Sequence, residues 1–176
     1  MRSAVRLLFV LVLLHAGVST AGRSPDVPYE PSPVAVVEAM LATARVGRDD
    51  VVYDLGSGDG RIVITAAEKF GAHGVGVDID PRRIAEANAN AKRSSAADRV
   101  QFREADLFEA DIREATVVTL FLWPEVNLKL RPKLLAELKP GTRIVSHMHD
   151  MGDWKPERTV RADGRTLYLW RVPEKK

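Results

Sequence analysis

Val51-Val-Tyr-Asp-Leu-Gly-Ser-Gly-Asp-Gly60 is the stretch that decides the fold. Five residues suited to a buried strand run into a turn where glycines alternate, with Asp54 and Asp59 among them. Lacking side chains, Gly56, Gly58 and Gly60 let the backbone take positive φ and bring its amides against a ligand. Asp54 and Asp59 add acceptors for that ligand's donors, and Ser57 lies between them. A dinucleotide fingerprint would place its third glycine at position 61, where this chain has Arg61, so NAD is not the expected ligand.

Strand and helix patterns alternate outward from this turn. Ala35 to Ala44 reads as a helix with Val36, Val37, Met40 and Leu41 on one stripe. Val51 to Leu55 is the first strand, followed by a helix burying Ile62, Val63, Ala66, Ala67 and Phe70. Val75 to Ile79 is the second strand, and Asp80 caps the helix that follows, with Pro81 in its first turn. Val100 to Arg103 and the apolar run Thr116 to Leu122 are further strands, the latter covered on both faces. Val126 to Leu138 is a helix in which Pro132 marks a kink or a start. Thr142 to His147, Arg158 to Arg161 and Thr166 to Val172 close the sheet. Such alternation predicts a doubly wound, mostly parallel α/β sheet ending in an antiparallel hairpin.

Composition narrows the function. The 176 residues, 45% hydrophobic and 28% charged, suit one domain with its own core. The first 21 residues contain Arg2 and Arg6 and no acid, so the remainder balances at 24 basic and 24 acidic side chains. That balance lacks the basic excess of a phosphate-binding surface, and no nucleic-acid partner is expected. Without cysteine there is no disulfide framework or thiolate metal site.

Arg2 and Arg6 precede the apolar stretch Leu7 to Leu14, and Ser19-Thr20-Ala21 supplies the small residues of a processing site. Residues 1–21 are therefore expected to be a signal peptide or membrane anchor that places the domain outside the cytoplasm, with a cytoplasmic protein as the alternative. Residues 22–33 form a proline-rich linker, and residues 34–176 the folded domain.

In a doubly wound sheet the ligand crevice opens at the carboxyl ends of the strands, where the strand order reverses. Asp54, Asp78 and Asp106 fall at three successive strand ends and outline one adenosine-sized site. Asp78 can accept both hydroxyls of a ribose, and Asp106 can accept from an exocyclic amine while Leu107 and Phe108 sandwich a base. Each also has a plainer reading: a tight strand-helix turn for the glycines, a helix cap for Asp78, a loop closure for Asp106.

The motif Asp54-Leu-Gly-Ser-Gly-Asp-Gly60, Asp78 and the step Ala105-Asp106-Leu107 together resemble the class I, seven-strand S-adenosylmethionine-dependent methyltransferases, over Pro28 to Val172. The resemblance implies that the Asp54 turn holds the amino-acid part of the cofactor, Asp78 with Ile79 the ribose and Asp106 with Leu107 the adenine. Asp-Leu-Gly-Ser-Gly-Asp-Gly-Arg-Ile-Val and the upstream Val27-Pro-Tyr-Glu-Pro-Ser-Pro33 look more narrowly like the small lysine methyltransferases that modify the ATP synthase c-subunit and the adenine nucleotide translocase, and their bacterial relatives. Those relatives carry Pro-Tyr-Val-Pro, whereas Glu30 stands here between Tyr29 and Pro31.

A sulfonium methyl is already activated, so the protein must mainly align a neutral nucleophile and exclude water. The expected acceptor is a lysine amine of a protein, membrane proteins included, and a small-molecule acceptor or a non-catalytic exported module are the alternatives. Tyr29, Glu30 and Trp123 are candidates for the substrate channel, with Phe121 and Trp154 as further wall candidates. Leu120-Phe-Leu-Trp-Pro-Glu125 lacks the Asn/Asp-Pro-Pro-aromatic grip used for planar amino groups. His147-Met-His149 lacks an evident third ligand, so no metal is expected.

Overall fold

A computed structural model describes residues 24–174. The leader expected over residues 1–21 lies outside the described residues. Seven strands form one sheet in the order β3-β2-β1-β4-β5-β7-β6. They are β1 (Val51–Leu55), β2 (His73–Asp78), β3 (Val100–Glu104), β4 (Val117–Leu120), β5 (Arg143–His147), β6 (Arg158–Ala162) and β7 (Arg165–Arg171). The helices are α1 (Val34–Thr43), α2 (Arg61–Phe70), α3 (Pro81–Lys92) and α4 (Pro124–Glu137). β1 to β5 pair in parallel, while β7 runs antiparallel between β5 and β6.

β1 is central because its residues from Val52 to Leu55 are all buried between the two sheet neighbours and the layers above and below. Alternation of side chains divides the core. On one face α1 and α2 pack Val36, Val37, Met40, Leu41, Ile62 and Val63 against Val52, Val117 and Val145. On the other, Leu130, Leu134 and Leu138 from α4 and its end meet Leu55, Val77, Leu120, Ile144 and Trp170. α2 lies close to β2 because Gly74 has no side chain: a Cβ there would stand 2.7 Å from Val63 Cβ.

The strands begin on a polar staple. Thr116 Oγ1 donates to Asp50 Oδ1 at 2.7 Å and accepts from the Val51 amide at 2.9 Å, while Arg143 pairs with Asp50 and donates to the Ala44 carbonyl. Burial alone would raise the Asp50 pKa, but the bonds from Thr116, Gly47 and Arg143 hold it below the usual carboxylate value.

Two elements differ from expectation. The run from Thr116 to Leu122 is strand only over Val117–Leu120, and Phe121 and Leu122 turn out to edge the ligand crevice. α4 begins at Pro124 and passes through Pro132, whose exposed position leaves the unmatched carbonyl a turn earlier to water. Asp80 caps α3 as expected, accepting from the Arg82 amide at 2.8 Å. Among the described residues no helix is long and apolar enough to cross a membrane.

Gly74→Ala should lower unfolding stability by about 1–3 kcal/mol through overpacking against Val63, read as a shifted urea midpoint with unchanged slope.

Candidate active site

The order reverses between β1 and β4, and a cleft of about 430 Å³ opens at the carboxyl ends there. Its walls bring together Tyr29, Glu30, Asp54, Gly56, Ser57, Gly58, Asp59, Asp78, Ile79, Asp106 and Leu107, with Phe121 and Leu122 on the β4 side. Trp123 and Gly60 stand apart from the lining. Trp123 caps α4 and is 51% exposed. Gly60 faces the protein: at φ 81° it opens α2, and a Cβ there would meet Phe102 at 2.5 Å and Ala87 at 3.0 Å. Its glycine is required by packing rather than by ligand approach.

The turn is held from β2. The amides of Gly56 and Ser57 donate to the Val77 carbonyl at 2.8 and 3.0 Å, and the Gly58 amide donates to Asp78 Oδ2 at 2.8 Å. Gly56 and Gly58 have φ of 85° and 52°, which a side chain would strain. Gly58 also supports the Tyr29 ring, which an added Cβ would strike at 2.4 Å. Ser57 Oγ is buried over Gly76 without a hydrogen-bond partner among the described residues.

The acids divide into distinct tasks. Asp54 is almost wholly buried and accepts from Thr119 Oγ1 at 2.7 Å. Burial pushes its carboxyl up to about 7, the Thr119 bond opposes this, and the charges of Asp78 and Asp59 add to it. Asp78 clamps the turn with Oδ2 and receives the Asp80 amide on Oδ1 at 2.9 Å; each oxygen retains a second lone pair at the cleft. Asp59 lines the cleft and also turns its carboxylate to the Arg61 guanidinium at the start of α2, with Nη2 to Oδ2 at 2.6 Å. Burial alone would raise the Asp59 pKa, but Arg61 holds it low. Asp106 Oδ1 accepts from the Phe108 amide at 2.8 Å and so also closes its turn. Phe108 packs into the core under Lys129, whose Nζ is 4.1 Å from the ring centroid, leaving Leu107 as the apolar wall.

Tyr29 crosses the turn with the Arg83 guanidinium 4.4 Å from its ring centroid and a hydrogen bond to Asp59. Burial and then the Asp59 charge raise its pKa, so the phenol stays protonated. Phe121 is a cleft residue rather than plain core, with its ring 4.0 Å from that of His147. Trp154 is not a wall residue: it packs on Trp170, whose Nε1 donates to the Trp154 carbonyl. The sequence reading missed Thr119, Arg83 and Ser32 as site neighbours, while His147 was read only as a metal-ligand candidate or polar rim. Only the fixed strand alternation that puts Thr119 beside Asp54 could have pointed to one of them.

This cradle suits S-adenosylmethionine. Free lone pairs of Asp78 can take ribose hydroxyls, Leu107 and Ile79 offer apolar surface to a base, and Asp54 can meet a cationic amino group. The family model described as the ANTKMT methyltransferase domain matches residues 54–158. The chain belongs to this methyltransferase family. The methyltransferase is 48% identical to the protein-lysine N-methyltransferase of Saccharolobus islandicus, over 86% of this chain and 98% of that one. It is 34% identical to the mouse adenine nucleotide translocase lysine N-methyltransferase, over 85% of this chain and 65% of the mouse protein. A Salinibacter ruber crystal structure, described as an RNA methyltransferase in complex with S-adenosyl-L-homocysteine, matches with 58% identity and a TM-score of 0.82, covering 84% of this chain and 96% of that one. The methyltransferase uses S-adenosylmethionine as its cofactor.

Two measurements test the acids. Asp78→Ala should weaken S-adenosylhomocysteine binding by about 1–3 kcal/mol in calorimetry, since it removes charged acceptors and frees the Gly58 amide. Asp54 is raised on folding, so folding bears the full penalty of its charge above about pH 7 and sheds it as pH falls toward the ordinary 3.8. Asp54→Asn should flatten the stability profile across that window. In the unsubstituted protein, affinity for the cationic cofactor should rise with pH up to about 7 and then level.

Proposed function

We propose that this methyltransferase transfers methyl groups to the ε-amine of lysine in a protein acceptor, with membrane proteins among its acceptors. The observation that carries this reading is the 48% identity, across 98% of its length, to a relative named for protein-lysine N-methylation. The relatives named for the adenine nucleotide translocase and the ATP synthase c-subunit support the membrane-protein acceptor.

The chain's own residues suit that chemistry. When bound, S-adenosylmethionine supplies an electrophilic methyl on a sulfonium, so the protein's part is to bind, orient and dry the site. Asp54, Asp78 and Asp106 hold the cofactor in this reading, over the side-chain-free face of a glycine turn whose Gly56, Ser57 and Gly58 amides are bonded to β2. Tyr29, Phe121 and Leu122 form the less polar side of the cleft. An entering lysine, of reference pKa about 10.4, gives up its proton more readily as these walls remove it from water. Glu30 at the mouth attracts the ammonium form, while the protonated Tyr29 phenol serves as a wall and a donor to Asp59 rather than as a base. Trp123, exposed at the start of α4, is an outer contact for a bulky acceptor.

The Salinibacter ruber protein described as an RNA methyltransferase favours a second reading, RNA as acceptor. Equal numbers of acidic and basic side chains beyond residue 21 and the sequence Phe121-Leu-Trp-Pro-Glu125 weigh against it. Incubation with methyl-labelled S-adenosylmethionine and separate membrane-protein, RNA and small-metabolite fractions should label protein, and acid hydrolysis should release methyl-lysine. Label confined to RNA or to metabolites rejects the lysine reading.

We also infer that residues 1–21 direct the protein to the membrane or beyond it, from Arg2, Arg6 and the apolar stretch that follows. Fractionation of expressing cells should recover it outside the cytosol, and a full-length cytosolic protein rejects the inference.

A further inference from the structure

We propose that Ser32 and His147 are positioning residues, whose shared buried hydrogen bond fixes the acceptor side of the methyl-transfer site. Ser32 Oγ and His147 Nδ1 lie 2.9 Å apart, joining the segment before α1 to the end of β5. Both residues are buried, at 3% and 1% exposure, although they connect parts of the chain 115 positions apart. The segment from Tyr29 to Ser32 is thereby attached on both sides of the cleft. On the cofactor side, Arg61 Nη1 donates to the Ser32 carbonyl at 3.0 Å, and Tyr29 rests on Gly58 beneath Arg83. On the β5 side, Ser32 meets His147.

The imidazole is itself firmly held. Its ring lies 4.0 Å from that of Phe121, a cleft residue. Just beyond it the backbone makes a tight turn: Met148 has φ 66°, the His149 amide donates to the His147 carbonyl at 2.9 Å, and the Met148 amide donates to Thr166 at 2.7 Å. A non-glycine residue at such φ is strained and persists where surrounding contacts enforce it. Burial, then Arg165 and His149, lower the His147 pKa to about 4, so the ring is neutral when it meets the serine hydroxyl. Nε2 is buried and has no partner among the described residues, so Nδ1 carries the ring's polar attachment.

The proposal rests on the reading that a bulky acceptor enters beside Tyr29 and Glu30, and its test separates the two. Ser32→Ala and the hydroxyl-retaining Ser32→Thr are compared by hydrogen-deuterium exchange, S-adenosylhomocysteine calorimetry and methyl transfer to a titrated membrane-protein extract. In Ser32→Ala, exchange over residues 26–32 should quicken. Transfer at limiting extract should fall about tenfold, the size of one lost buried hydrogen bond, and cofactor affinity should stay within about twofold. Ser32→Thr should restore both. Unchanged exchange and transfer in Ser32→Ala overturns the proposal, as does an equal loss of cofactor affinity with faster exchange throughout the domain, the pattern of a merely structural bond. If the unsubstituted enzyme labels no protein, the lysine reading fails, while exchange over residues 26–32 still decides whether the bond positions this segment.

Discussion

The glycine turn after β1 is bonded to its neighbour strand rather than to its own. Amides at Gly56 and Ser57 reach the Val77 carbonyl, and the Gly58 amide reaches the Asp78 carboxylate. These three bonds fix positive-φ backbone at the place where the strand order reverses, and the rest of the cleft is assembled against it. Tyr29 can lie across the turn only because Gly58 is bare, and α2 can start beside β3 only because Gly60 is. One run of sequence thus sets the helix entry, the cofactor cradle and the seat of the segment that crosses above them.

Carboxylates near one another in such a cleft would repel if all were charged and idle. The fold assigns them different partners instead. Asp59 is neutralised by Arg61, Asp78 is spread over two backbone amides, and Asp54 is buried deeply enough to hold its proton until near neutrality. A cationic ligand therefore meets a site whose negative charge is partly masked at rest.

Much of this was legible in the sequence because it was local. The β1-turn-α2 unit, the Asp80 cap with Pro81 and the sequence of strands follow from short-range patterning, and Asp54, Asp78 and Asp106 could be placed at strand ends by counting. The rest depended on distant partners. Nothing near Asp59 in the chain separates a ligand-facing carboxylate from one turned to Arg61, since both read as polar residues at a helix start. Trp154 read as a channel-wall candidate because its partner Trp170 lies far along the chain, on β7. Ser32 looked like linker, and its buried side chain bonds to His147 across the domain. Pro132 lies inside α4 rather than at its start, on a side that faces solvent, which composition does not reveal.

Among the described residues the sheet ends at β6, which pairs only with β7, and this last strand displays Arg158 and Arg161 to solvent. Like charges along an edge strand oppose its pairing with a second copy of the same edge. The same margin lies at the far end of the sheet from β2 and β3, so it discourages stacking into ribbons without touching the catalytic cleft.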